Sequence, residues 1–411
     1  MSTEQFGDYK MRVLQVNSVC GIGSTGRIAT DLHEILQKHG NESYIAFGRN
    51  EAMNCETSIR IGTKYDQYYH VFLTRIFDRH GQGSKSATKH FIHEIIQLQP
   101  DIIHLQNIHG YYIHYIELFQ FLREYGKPVI WTLHDCWAFT GHCAHFEYVG
   151  CLKWETHCHK CPQKAEYPKS ILFDNSKNNF DIKRDSFCKL DNLTIVTPSD
   201  WLSRLVRKSF LNDYRVVVIN NGIDLDVFRP CKSNFRERNN IVNKYILLGV
   251  TNVWDEKKGF KYFLDLSIQL TLDEVIVLVG VTESQKRNLP INIIGITKTN
   301  NIIELAEIYS TSDIFVNPTL QDNFPTTNIE SLACGTPIVT FHTGGSIESV
   351  SEDCGLIAKK GDLQDLILKI RVIKDNGKSS YSKQCIERAK KLYDKNERYL
   401  DYITLYEEVL K

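Results

Sequence analysis

The run from Ile314 to Gly335, IFVNPTLQDNFPTTNIESLACG, carries a complete strand-to-helix turn. Ile314 to Val316 is a short apolar run of the kind a buried strand needs. Pro325 followed by Thr326 or Thr327 marks a helix start, and Ile329, Leu332 and Ala333 supply the buried face of that helix. Free N–H groups and the positive end of the helix dipole form a natural cradle for a diphosphate, which places Asn323, Phe324, Thr326 and Thr327 around it. Two acids stand eight positions apart, Asp322 in the loop and Glu330 on the helix. Both can face one ligand while touching different parts of it, and carboxylates accept well from sugar hydroxyls. On spacing alone, a Glu330 that supports the helix dipole and an Asp322 that makes a turn account for the pair equally well.

Working outward, short apolar runs alternate with amphipathic stretches along the whole chain. Val13–Val16, Tyr44–Phe47, Asp101–Leu105, Val129–Leu133 and Thr194–Val196 read as buried strands, with helical patterns such as Ile28, Leu32, Ile35 and Leu36 between them. A second series starts near Val216 and runs through Tyr245–Val250, Val275–Val279, Ile314–Val316 and Ile338–Thr340, with helices over Phe260–Leu270 and Ile302–Tyr309. The alternation predicts an α/β protein of two Rossmann-like domains, each a parallel sheet with helices on both faces. We place the N-terminal domain at 11–215, with an irregular insertion over about 136–184 that is too long for an ordinary connection. The C-terminal domain follows at 216–395, and a helix over 396–411 crosses back to the N-terminal domain. The boundary falls between Leu211 and Asn243, where the polar stretch Lys232–Asn240 interrupts the pattern. Ligands of such sheets sit at the carboxyl ends of strands, so the ligand is expected in the cleft between domains.

A length of 411 residues with 42% hydrophobic content is too long for one core and suits two. Forty-nine basic residues balance forty-nine acidic ones, which speaks against nucleic acid as a partner and means that any charged ligand is met locally. Apolar runs such as Val275–Val281 fall far short of the roughly 20 residues of a membrane span, and Met1–Lys10 lacks the apolar core of a signal peptide, so the expected address is cytoplasmic.

The segment Asn317–Gly335 resembles the E-x7-E region of family 4 glycosyltransferases of the GT-B fold, with Asp322 in place of the first acid. The resemblance extends to NNGIDLDVF (Asn220–Phe228), DEKKGF (Asp255–Phe260) and GGSIESV (Gly344–Val350). It implies a retaining enzyme that moves a sugar from a nucleotide-sugar co-substrate, UDP or GDP favoured, to a glycan or lipid-linked glycan in bacterial surface polysaccharide synthesis. Glu330 would take the donor ribose hydroxyls and Asp322 would approach the transferred sugar. Lys258 would hold the donor diphosphate, and Ile296 joins the donor contacts. The usual Arg beside that Lys is missing from GVTNVWDEKKG. The N-terminal loop CGIGSTGR (Cys20–Arg27) follows a strand and opens a helix, so Gly23, Ser24, Thr25 and Gly26 could let a phosphate or acceptor approach backbone N–H groups, with Arg27 as a replacement for the missing Arg. His134 ends the strand of VIWTLHD, and the resemblance puts a histidine at this place near the reacting sugar, with Asp135 orienting it or capping the chain. The sequence offers no DxD-type metal motif and no assigned carboxylate nucleophile, so the implied reaction is same-face substitution with no catalytic metal required.

Five of the twelve cysteines, Cys136, Cys143, Cys151, Cys158 and Cys161, crowd into one segment. In a reducing compartment this clustering suggests metal rather than disulfides, and Cys143, Cys151, Cys158 and Cys161 make a tetrahedral structural zinc set, with free thiols as the alternative. The HDxWxFTGxC pattern here resembles a subgroup of bacterial family 4 enzymes with such an insertion. Two other functions share these features: a non-hydrolysing sugar-nucleotide epimerase on the same fold, and a zinc-dependent binding module. Finally, Trp201–Leu211 reads as an amphipathic helix whose apolar face, Trp201, Leu202, Leu205, Val206 and Phe210, either joins the core or makes peripheral contact with the inner membrane.

Overall fold

A computed structural model describes residues 10–411. The chain forms two compact units, one of residues up to Ile219 together with Tyr399–Lys411, the other Asn220–Arg398.

In the first unit, strands β1 (Arg12–Asn17), β2 (Glu42–Phe47), β3 (Ser58–Arg60), β4 (Ile102–Leu105), β5 (Val129–Thr132), β6 (Leu193–Thr197) and β7 (Arg215–Val218) alternate with helices. These are α1 (Gly23–Lys38), α2 (Lys64–Phe77), α3 (Lys85–Leu98), α4 (Tyr115–Tyr125), α5 (Ser176–Phe187) and α6 (Asp200–Val206). The strands pair in parallel in the order β3-β2-β1-β4-β5-β6-β7. Side-chain alternation explains why the strand sequences are apolar throughout. Val13, Ile102, Ile130 and Val196 point to the layer that holds α1, whereas Leu14, Val16, Ile103, Leu105, Val129 and Trp131 point to the layer with Phe91, Phe119 and Phe187 from α3, α4 and α5.

In the second unit, β8 (Tyr245–Val250), β9 (Glu274–Val279), β10 (Ile293–Ile296), β11 (Ile314–Asn317), β12 (Ile338–Phe341) and β13 (Gly355–Ala358) form a parallel sheet in the order β10-β9-β8-β11-β12-β13. Its helices are α7 (Phe235–Arg238), α8 (Phe260–Ser267), α9 (Glu283–Arg287), α10 (Ile302–Thr311), α11 (Thr326–Ala333), α12 (Leu363–Asn376) and α13 (Ser379–Tyr393). The last helix, α14 (Lys395–Leu410), places Tyr399, Tyr402, Ile403, Leu405 and Tyr406 in the α1 layer of the first unit's core. Among the described residues no helix is long and apolar enough to cross a membrane.

Three expectations change. The apolar run at Val216 does not open the second sheet; it is β7, paired with β6, because a short valine run fits any parallel neighbour and carries no record of which one. The helix at Trp201 stops at Val206, with Leu202 and Val206 fully buried, so its apolar face belongs to the core and is not a membrane surface. The irregular stretch of the insertion ends earlier than its polarity suggests, since Ser176–Phe187 is the helix α5.

Packing α14 onto the first sheet depends on a histidine inside the core. His104 on β4 is buried, and its two ring nitrogens meet the Thr132 hydroxyl at 2.8 Å and the Tyr406 hydroxyl at 2.7 Å. Burial, with the nearby His134 adding to it, pushes His104 down to about 3. Burial likewise takes His70 to about 3 and His80 well below the ordinary value. These rings stay neutral when folded but bind a proton near pH 6.5 when unfolded, so the unfolded chain takes up more protons as pH falls. Their contribution is complete above pH 6.5 and declines below it, each ring costing about 1.4 kcal/mol per pH unit until its folded value is reached. Amide hydrogen exchange of β1, β4 and β5 at matched intrinsic rates is therefore expected to show clearly weaker protection at pH 5.5 than at pH 7.5. Equal protection would mean that the rings are already protonated in the folded state.

Candidate functional site

In both sheets the strand order reverses beside the first strand of the unit, between β1 and β4 in one and between β8 and β11 in the other. The loops leaving the two strands at such a reversal diverge and open a crevice at their carboxyl ends. In the second unit those loops carry Lys258 and Asp322. The Lys258 Nζ lies 2.6 Å from the Asp322 Oδ2, in a partly exposed ion pair.

The loop after β8 is fastened to the loop after β11. Leu320 N donates to the Lys257 carbonyl at 2.7 Å, and the Thr319 hydroxyl donates to the same oxygen at 3.3 Å. Gly259 makes the approach feasible: its φ is +79°, and a Cβ there would sit 2.2 Å from the Pro318 carbonyl oxygen. DEKKGF therefore needs its glycine so that Lys258, one residue earlier, reaches Asp322.

Helix α11 begins at Thr326, with Pro325 before it, no side-chain cap and no acid in its first turn. The N-terminal end of such a helix is where backbone N–H groups and the positive dipole end can meet an anion. Asn323 and Phe324 are buried beside this start, while Thr326 and Thr327 are half-buried. Glu330 is one turn further on and buried, and the Tyr309 hydroxyl donates to its Oε2 at 2.9 Å. Asn328, fully buried, accepts from Asn317 Nδ2 at 2.8 Å and donates to the Ser346 carbonyl and to the Ser346 and Ser349 hydroxyls. This network ties the β11 end to GGSIESV and holds the helix start in place. Tyr309, Asn317 and Asn328 were not singled out from sequence; an asparagine on the inward face of a short apolar helix was the available signal. Ile296 ends the edge strand β10, and its carbonyl is occupied by the Gly280 N–H at 2.8 Å. NNGIDLDVF is a tie to another segment of this unit: Ile223 exchanges backbone bonds with Tyr393 and Lys395, and Asp224 pairs with the Lys395 Nζ at 2.7 Å.

In the first unit the loop after β1 leads into α1, which starts at Gly23, so Ser24, Thr25, Gly26 and Arg27 are helical rather than loop. Gly23, Ser24 and Arg27 are exposed and Gly26 is buried. Past the end of β5, His134 Nε2 lies 3.3 Å from the Gln106 Oε1, and burial takes His134 down to about 4 despite Asp135 beside it. Asp135 has partners of its own. It accepts from the Trp137 N–H at 2.9 Å and pairs with the His109 Nε2 at 2.9 Å, while the His109 Nδ1 is 2.9 Å from the Tyr167 hydroxyl. Burial alone would raise the Asp135 carboxyl, but the His109 pairing outweighs it and leaves the group at about 2.

The cysteine segment has more holding it than thiols. His142 Nδ1 meets the Asp78 Oδ1 at 2.5 Å, Lys183 donates to the Trp137 and Thr140 carbonyls, and Phe139, Phe146 and Trp154 pack together. Cys143, Cys151, Cys158 and Cys161 do line one cavity of about 10 Å³. Among the described residues, however, no group of three or more His, Cys, Asp or Glu side chains is set to hold a metal ion.

Two parallel α/β units, with polar side chains gathered at the strand-order reversals, define the GT-B class of architecture. The chain belongs to glycosyltransferase family 4: residues 25–227 match the profile described as Glycosyltransferase Family 4, and residues 232–392 match that described as Glycosyl transferases group 1. It is similar to WcaC of Escherichia coli K12, a protein named for colanic acid biosynthesis and glycosyl transfer, at 27% identity over 52% of this chain and 55% of that one. It is also similar to the N,N'-diacetylbacillosaminyl-diphospho-undecaprenol alpha-1,3-N-acetylgalactosaminyltransferase of Campylobacter jejuni, at 28% identity over 51% of this chain and 58% of that one. The chain thus spans little more than half the length of these relatives. In fold it resembles the sucrose-phosphate synthase of Thermosynechococcus elongatus, with a TM-score of 0.70 at 16% identity, covering 97% of this chain and 99% of that one. The Anabaena protein Alr3699/HepE, solved with UDP, superimposes with a TM-score of 0.68 at 12% identity, covering 97% and 100%.

Gly259→Ala should destabilise the second unit by about 1–3 kcal/mol, because the added methyl meets a backbone oxygen and the positive φ is strained. Denaturant unfolding checks this, and an unchanged midpoint would show that the loop has another route past Pro318.

Proposed function

We propose that the chain transfers a sugar, with retention of anomeric configuration, from a UDP- or GDP-sugar to a glycan or lipid-linked glycan. The Lys258–Asp322 pair, beside the uncapped start of α11 at a strand-order reversal, is the observation that supports this reading most directly. The Lys258 ammonium is matched to the Asp322 carboxylate. A donor diphosphate would give Lys258 a second anionic partner and leave Asp322 to accept from the sugar hydroxyls. Glu330, held by Tyr309, would accept from the ribose. As the bond from the anomeric carbon to the diphosphate oxygen breaks, the acceptor oxygen bonds on the same face and its proton passes to the departing diphosphate. Lys258 and the α11 N–H groups stabilise the charge that develops there.

The names of the relatives favour a lipid-linked acceptor. The Campylobacter protein is named for a diphospho-undecaprenol sugar, and HepE was solved with UDP. Among the described residues no feature favours the epimerase or the binding-module reading over transfer.

With His134 at about 4, the ring is neutral from pH 5 upward and serves as a hydrogen-bonding group rather than a titrating base. Glu330→Ala should lose about 1.5–3 kcal/mol of donor binding for each ribose contact removed, read by calorimetry with UDP- and GDP-sugars. A folded variant with undiminished affinity would remove Glu330 from the site. Product NMR decides the stereochemistry, and an inverted linkage would end the same-face mechanism. Consumption of donor with no acceptor present, yielding a C2-epimerised sugar nucleotide, would move the chain to the epimerase class.

A structural zinc held by Cys143, Cys151, Cys158 and Cys161 also belongs to the proposal, on the ground that all four line one cavity. Four protein ligands would leave no open position, so the ion would stabilise the insertion and take no part in transfer. Elemental analysis of protein purified without chelator should return about one zinc per chain. Four freely titratable thiols and no metal would count against it.

A further inference from the structure

Helix α2 is built inside out. Its only buried residues are the polar His70 and Thr74, yet its outer face carries Tyr65, Tyr68, Tyr69 and Phe72, spaced to fall on one side of the helix and between 53% and 85% exposed. The helix is fixed in that pose. A capping box of Thr63 and Asp66 closes its start, and the His70 ring accepts from the Gly81 N–H at 2.9 Å and meets the Ser84 hydroxyl at 3.0 Å on the inner side.

The cysteine insertion extends the same surface. Ile171 N donates to the Arg75 carbonyl at 2.7 Å and Phe173 N to the Ile76 carbonyl at 3.2 Å, so this segment lies along the end of α2. Phe173 stacks on Phe77 at 5.8 Å, Phe77 meets Phe72 edge-on at 6.1 Å, and Ile171, Leu172 and Phe173 are between 56% and 60% exposed. Lys64, Arg75, Arg79, Lys164 and Lys169 belong to these segments or border them in the chain, against Glu166, an Asp66 engaged in the helix cap and an Asp174 that accepts from the Cys161 and Ser176 N–H groups. A continuous aromatic and aliphatic surface bordered by net positive charge is complementary to an anionic lipid bilayer, where tyrosines sit well at the headgroup level.

We propose that α2 and the Ile171–Phe173 segment form the surface by which the protein docks on anionic membrane. This inference rests on the lipid-linked acceptor proposed above, and it moves the membrane contact away from the Trp201 helix, whose apolar face is core.

The test is flotation of the full chain with vesicles of phosphatidylethanolamine and phosphatidylglycerol, compared with phosphatidylcholine alone. The protein should float with the anionic vesicles, and Tyr68→Ser/Tyr69→Ser/Phe72→Ser should cut the bound fraction about tenfold without lowering the melting temperature. Lys64→Glu/Lys169→Glu, which leaves every aromatic in place, should weaken binding to the anionic vesicles only, and it keeps the test decisive if the triple variant misfolds. Absence of flotation, or variants that float as well as the parent, would overturn the proposal. So would light scattering in which the surface variants merely turn a dimer into a monomer, since the face would then bind a second copy. Flotation needs neither donor nor acceptor, so its failure leaves sugar transfer standing. A folded protein that floats but transfers no sugar removes the proposed function and leaves the docking surface.

Discussion

Parallel pairing is the constraint from which the rest follows. Among the described residues every strand pair in both sheets is parallel, so the carboxyl ends of all strands in a unit lie along one edge, and every loop leaving a strand emerges there. The order of strands then decides which loops meet. Because β8 has β9 on one side and β11 on the other, the chain leaves β8 and β11 in opposite directions, and the loops with Lys258 and Asp322 flank the gap. Sixty-four positions separate these two residues in sequence, and the sheet order brings them to 2.6 Å.

The gap keeps its shape through buried polar groups. Asn328 and Glu330 lie on different sides of α11, which is buried all round from Asn328 to Ala333, so an unpaired amide or carboxylate would be costly at either place, and both are bonded from outside the helix, by Asn317, Ser346 and Ser349 in one case and Tyr309 in the other. Such a network fixes the helix start more narrowly than apolar packing can, because each bond has a direction. It also accounts for the separation between GGSIESV and the acids it supports: its serines hold the helix that carries Glu330.

Much of this was legible from the sequence, for definable reasons. A buried parallel strand is apolar on both faces and stands out as a short run, so β1, β2, β5, β8, β9 and β11 were recognisable, as was the helix start at Pro325. What the runs do not encode is partnership, and Val216 was assigned to the wrong sheet on that account. Amphipathicity identifies a two-faced helix but not which face looks inward. The Trp201 helix turns its apolar face to the core, whereas α2 turns its aromatic face to solvent, and only the neighbours decide. The Asp135–His109–Tyr167 chain was illegible because its members come from two strand ends and the insertion.

The insertion joins these threads. Asp78, just past α2 and at a positive φ of 53°, accepts from His142 and from the Asn175 N–H, while its own carbonyl accepts from Asn179 at 2.6 Å. One residue thus anchors the end of α2, the cysteine segment and α5 together. Burial works against charge on His142, yet Asp78 raises it above its ordinary value, so the pair is strongest when the ring is protonated. From the same segment Tyr167 reaches His109 and through it Asp135, next to His134. The insertion is therefore mechanically continuous with both the outward aromatic face of α2 and the end of β5. What joins the α2 surface to the segment beside His134 is a run of directed hydrogen bonds, from Asp78 to His142 and Asn175 at one end and from Tyr167 through His109 to Asp135 at the other.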